Sequence, residues 1–193
     1  MGYLGSLQQR CAMLGAGLAI LAMPFAVHAE DWAHSKKLSF DTTASGTEIK
    51  EDVAALPLLV RLHSGNFTFS EAKPDGSDLR FFAADGKTPL KYHIEKFDAA
   101  NELANAWVAL PKLPANAKAD ALTMSWGNSK ATVADDVKGT YDASQIFVLH
   151  FGNPEGVKDA TANANHAKSS TAKPVATGPV SEAAGFDGAA RIE

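Results

Sequence analysis

Beyond residue 29 the sequence predicts an all-β protein: an antiparallel β-sandwich of jelly-roll-like kind followed by an incomplete second β-module. Three observations lead there. Apolar and polar residues alternate with period two in one run after another, the pattern of half-buried strands. The runs are separated by Gly, Pro, Asn and Asp turn chemistry at intervals of about 10 to 20 residues. No stretch of the same region carries a convincing helical period.

The runs follow in order. Residues 37–42 place Leu38 and Phe40 on one face. Leu56, Leu58, Val60 and Leu62 share the next face, opposite Leu59, Arg61 and His63, with Pro57 near the strand start where a missing N–H is tolerated. Leu79 and Phe81 oppose Arg80 and Phe82; Leu90, Tyr92 and Ile94 oppose Lys91, His93 and Glu95. Ala106, Val108 and Leu110 oppose Trp107, while Leu122, Met124 and Trp126 oppose Thr123 and Ser125. Residues 146–151 make the last run. Between them, Ser64-Gly65-Asn66, Pro74-Asp75-Gly76, Asp85-Gly86, Asp98 to Asn101, Pro111 with Pro114, and Gly127-Asn128 read as turns. Residues 49–56 and 129–137 are the two places where short helical turns fit.

The first 29 residues read as a cleavable signal peptide. Arg10 supplies the positive end, residues 11–27 form an apolar run too short for the ~20 residues of a membrane span, and Val27-His28-Ala29 puts small residues where a signal peptidase reads. The only cysteine, Cys11, lies in that leader, so the exported chain holds itself together without disulfides. The leader carries one of the 18 basic residues and none of the 22 acidic ones, which leaves the remainder at net −5. That charge argues against nucleic acid or an anionic membrane surface as partner. The expected organisation is therefore a signal peptide over 1–29, a sandwich over 30–138, and a linker with the start of a second module over 139–193. From about Gly156 to Gly185 large apolar residues are nearly absent, so that stretch is expected to order poorly alone.

Candidate functional residues are few. Asp75-Gly76-Ser77-Asp78 with Asp85 falls short of the six to eight oxygens of a calcium loop, and its acids read as turn formers. If Asp85-Gly86 closes a hairpin, Arg80 and Glu95 share a sheet face with Asp78 nearby. A cross-strand ion pair and a polar patch for a sugar or peptide are the two readings of that arrangement. Trp107, facing away from Val108, is the candidate stacking platform, whereas Trp126 belongs with the core. Ligand contacts are thus expected at Asp78, Arg80, Glu95 and Trp107. The histidines show no ligand spacing, and His150 reads as a core-edge residue. There is no nucleophile–base–orienter set, phosphate loop or metal motif, so neither catalysis nor a cofactor or metal is expected.

Asn66-Phe67-Thr68-Phe69-Ser70, Gly76-Ser77-Asp78-Leu79-Arg80-Phe81, residues 90–95, Trp107-Val108 and Trp126-Gly127-Asn128 occur in an order that resembles domain of unknown function 2341 over residues 32–135. Leu149-His150-Phe151, Asp159 to Asn165, and Phe186-Asp187-Gly188 are similar to the opening of a concanavalin-like, laminin-G-type domain. Behind a signal peptide, the pair resembles the extracytoplasmic part of some TolQ/ExbB/MotA-like proton-channel proteins. The resemblance implies a periplasmic, non-catalytic binding or scaffold module of a biopolymer-transport protein, with a channel module further along a longer parent. The alternative is a carbohydrate-binding module of a secreted glycan-active protein. The partner is then a protein or a glycan. Mass spectrometry of the exported product is expected to show an N-terminus at Glu30; retention of Met1 would contradict the leader.

Overall fold

The computed structural model describes residues 32–152, 157–175, 178 and 180–193. The leader lies outside the described residues. Six strands build the sandwich: β1 (His34–Asp41), β2 (Val53–His63), β3 (Arg80–Ala83), β4 (Tyr92–Asp98), β5 (Leu103–Leu113) and β6 (Lys118–Trp126). They form two antiparallel three-stranded sheets, β1-β6-β3 and β2-β5-β4. Every connection changes sheet except the β4–β5 hairpin, whose turn is closed by Asp98 accepting from the Asn101 backbone at 3.0 Å and from its side chain at 2.8 Å. A short β7 (Lys173–Val175) and β8 (Ala183–Gly185) pair separately.

The alternation puts one face of each sheet into a shared core. Leu79, Phe81, Leu122, Met124 and Trp126 from the first sheet meet Val60, Leu62, Tyr92, Val108 and Leu110 from the second, and Phe67 and Phe69 close one end. Phe67 packs edge-on to Phe69 and tilts against Trp126, with ring centroids 4.9 and 5.0 Å apart. Leu79 and Val108 have no exposed surface. Each such side chain contributes about 1.5–3 kcal/mol of burial, which here stands in for disulfides.

Four local expectations are corrected. Asp85-Gly86 does turn the chain: Asp85 accepts from the Lys87 and Thr88 amides at 2.9 Å, and Gly86 sits at φ +66°. The returning arm pairs with β3 only briefly, through Ala83 N–H to Thr88 O and Leu90 N–H to Phe81 O, both at 2.8 Å, and then crosses to the other sheet. Arg80 and Glu95 therefore lie in different sheets and do not form the expected cross-strand pair. Residues 53–56 belong to β2 and not to a helical turn. Residues 129–137 contain no helix. Residues 146–151 make no strand either, only an isolated bridge of Leu149 to Asp159.

The segment after β6 is better tied than its composition suggests. Asp159 is 4% exposed, and its carboxylate accepts from the backbone of Val148, Thr161 and Asn165 and from the Thr161 hydroxyl, at 2.8–2.9 Å. These donors outweigh the upward push of burial and hold its pKa at about 2. The alternate residues Asp159, Thr161, Asn163 and Asn165 thus knot the loop by polar contacts in place of an apolar core. Leu79→Ala is expected to cost about 3 kcal/mol in a urea melt, by cavity formation. Leu103→Ala, at a side chain 46% exposed, is expected to cost under about 0.5 kcal/mol.

Candidate functional site

The four residues expected to contact a ligand divide into two unrelated places. Asp78 is 1% exposed and acts as a staple: Oδ1 accepts from Lys73 N–H and Oδ2 from Gly127 N–H, both at 2.9 Å. Gly127 suits this role because its φ is +84° and a Cβ would stand 2.7 Å from the His34 ring. Gly76, at φ +68°, likewise leaves no room, since a Cβ would meet Phe97 at 2.5 Å. Arg80 donates to the carbonyls of Ser77, Leu79 and Thr132 and to Tyr92 OH, and its guanidinium lies 5.4 Å from the centre of the Trp32 ring. The Gly-Ser-Asp-Leu-Arg and Trp-Gly-Asn motifs are therefore two halves of one brace that closes the end of the sandwich.

Glu95 and Trp107 meet on the outer face of the β2-β5-β4 sheet. Alternation sets Glu95 on that face with His93, which pairs with Trp107; a β-bulge then adds Lys96, because Ile94 pairs with Ala106 and Lys96 with the adjacent Asn105, leaving Glu95 as the extra residue. Both Glu95 and Lys96 then make contacts on the outer side of the sheet. Residues 134–152 cross this face as a strap. Asp136 N–H donates to Tyr92 O at 2.8 Å along the β4 edge, and its carboxylate pairs with Lys91 at 3.0 Å. Further on, Lys96 pairs with Glu182 at 2.7 Å and the Asn105 amide donates to Val180 O.

At the centre the contacts form a continuous chain. Glu95 Oε2 accepts from Trp107 Nε1–H at 2.6 Å and lies 3.2 Å from His150 Nδ1. His150 Nε2 is 3.0 Å from Tyr141 OH, and Tyr141 OH is 3.2 Å from His93 Nδ1. The Glu95 and His150 side chains are only 12% and 16% exposed. Burial pushes the Glu95 carboxyl up, but the His150 and Trp107 hydrogen bonds overcome it and leave it below its ordinary value. Burial, with the neighbouring His150, pulls His93 down to about 4, and burial raises the Tyr141 hydroxyl.

Beside this chain lies a cleft of about 580 Å³, lined by His93, Glu95 and Lys96 of β4 on one side and by His150 and other residues of the strap and the Asp159 loop on the other. Trp107 is half-buried, its ring tilted against His150 at 6.0 Å and its indole N–H given to Glu95, and it supports these two lining residues without lining the cleft itself. Among the described residues no group of three or more His, Cys, Asp or Glu side chains is arranged to hold a metal ion. Sequence reasoning did not single out Tyr141 or Lys96, and it took His150 for a core-edge residue. Their partners lie far along the chain, and a bulge leaves no mark in the alternation. The one available signal was two consecutive charged residues, Glu95-Lys96, inside an otherwise alternating strand.

With that geometry in view, residues 75–164 match the family model described as Domain of unknown function (DUF2341). The matched span includes the Asp78–Arg80 brace, the β4–β5 hairpin, the strap and the Asp159 loop. No curated protein and no solved structure matches the chain.

Acid should loosen this arrangement. His93 has a folded pKa below its unfolded value near 6.5, so stability present above pH 6.5 is lost as pH falls toward about 4. Glu95, also depressed, adds a loss of the same sign as pH falls through its folded pKa. Urea melts from pH 7 to 4 are expected to show this decline, and His93→Asn to flatten its upper part. An unchanged slope in that variant would show that His93 does not carry the linkage.

Proposed function

We propose that this chain is a non-catalytic extracytoplasmic binding or scaffold module, the N-terminal part of a TolQ/ExbB/MotA-like proton-channel or biopolymer-transport protein. The observation that carries the binding reading is the cleft on the outer face of the β2-β5-β4 sheet, walled on one side by sheet residues and on the other by the strap and the loop after it. Five side chains of that sheet each hold a residue from the following segment: Lys91 with Asp136, His93 with Tyr141, Glu95 with His150, Lys96 with Glu182 and Asn105 with Val180. A sheet face used in this way is a platform, and the space it leaves is of ligand size. The apolar leader and its Val27-His28-Ala29 end support export. The ordered motifs and the concanavalin-like opening after residue 148 support the channel-associated parent.

The test is to follow the product of the native gene through cell fractionation. The expected result is inner-membrane association with the module open to protease added from the periplasmic side. A product confined to the cytoplasm overturns the reading. A product released in soluble form and retained on polysaccharide columns replaces it with the glycan-binding alternative.

A further inference from the structure

With every contact kept, the chain Glu95–His150–Tyr141–His93 holds its protons either in one neutral arrangement or with one further proton added. An indole N–H can only donate, so Glu95 Oε2 is an acceptor from Trp107, and His150 Nδ1, 3.2 Å from the same oxygen, donates to it as well. In the first arrangement His150 Nε2 carries a lone pair, Tyr141 OH donates to it, and His93 Nδ1–H donates to the tyrosine oxygen. His93 Nε2 is then a bare acceptor. In the second, one further proton sits on the imidazole pair, and His93 Nε2 carries a hydrogen whether Tyr141 OH still donates to His150 Nε2 or turns to donate to His93 Nδ1. With Nδ1 committed to Tyr141, Nε2 is the nitrogen His93 has left for the cleft that it lines.

The rest of the cleft wall favours an anion. Its three carboxylates are already engaged: Glu95 as described, Asp159 by the donors of its own loop, and Glu182 by Lys96 and Ser181. Lys138 and Lys158 add two ammonium groups to the lining, beside Lys96 paired with Glu182 and His166, whose Nδ1 accepts from Asp159 N–H at 3.0 Å. We propose that this cleft binds a small organic carboxylate and takes up one proton as it does so, because only the second arrangement offers the carboxylate a donor at His93. A neutral hydroxyl ligand would instead donate to the bare nitrogen and take up none. The inference rests on the reading of the cleft as a binding site.

Calorimetry of the purified full chain at pH 7.5, in phosphate and in Tris, counts the protons from the difference in apparent binding enthalpy. The probes are glucuronate, N-acetyl-alanine and methyl glucoside. At least one carboxylate is expected to bind about tenfold or more tightly than methyl glucoside, with uptake approaching one proton. Which of the two carboxylates binds distinguishes a sugar acid from a peptide end. Tyr141→Phe frees the His93 tautomer, so carboxylate binding is expected to persist within a fewfold while proton uptake disappears. A tyrosine that merely supports structure would lower affinity and leave the uptake unchanged, which would overturn the relay. Equal binding of methyl glucoside overturns the carboxylate assignment and leaves the binding reading standing. No binding by any probe overturns the site, while the fractionation test continues to decide the module's role.

Discussion

A carboxylate drawn away from water has to be given donors, and the docking of the strap on the β2-β5-β4 sheet at His150 follows from how Glu95 meets that requirement. Left alone at 12% exposure, the charge would cost several kcal/mol. The Trp107 indole satisfies one direction from within the sheet. The remaining capacity is met by His150, a residue of the strap, so the strap is held against the sheet by a desolvated contact and not by apolar packing. Tyr141 and His93 extend the same line, and the cleft is the space that this line leaves open.

The bulge is what brings Lys96 to the face that Glu95 already occupies. A strict two-residue alternation would set Lys96 on the core side of β4 and Phe97 on the outer side; the extra residue lets Glu95 and Lys96 serve the outer face together and turns Phe97 into the core beside Phe69. The outer face of β4 therefore supplies an acid for the strap by alternation and a base for Glu182 by the bulge. The opposite end of the sandwich uses a different device. There Asp78 and Arg80 spend their polar groups on backbone amides and carbonyls, which fixes the loops around Gly76 and Gly127 where side chains would collide.

These two ends explain why the most recognisable motif and the candidate site do not coincide. Gly76-Ser77-Asp78-Leu79-Arg80-Phe81 is dense in polar residues because a sharp turn and a buried staple need them. Polar density in a short segment reports local backbone demands as readily as it reports ligand chemistry. The site itself is spread over β4, β5, the strap and the Asp159 loop, with lining groups that run from His93 to Glu182.

The sequence by itself determined the strands and the core. Period-two alternation is a local property, and Leu79, Phe81, Val108, Leu122 and Met124 are buried where it placed them. It also determined the turns at Asp85-Gly86 and at Asp98, whose side chains bond amides within three residues. Sheet membership was decided only in three dimensions, because the arm after Asp85-Gly86 leaves β3 to pair with β5, and alternation does not say which neighbour a strand will take. The pairing of Glu95 with His150 and of His93 with Tyr141 was decided there too. Those contacts join residues about half a hundred positions apart through a strap, and nothing local to either partner encodes the distance between them.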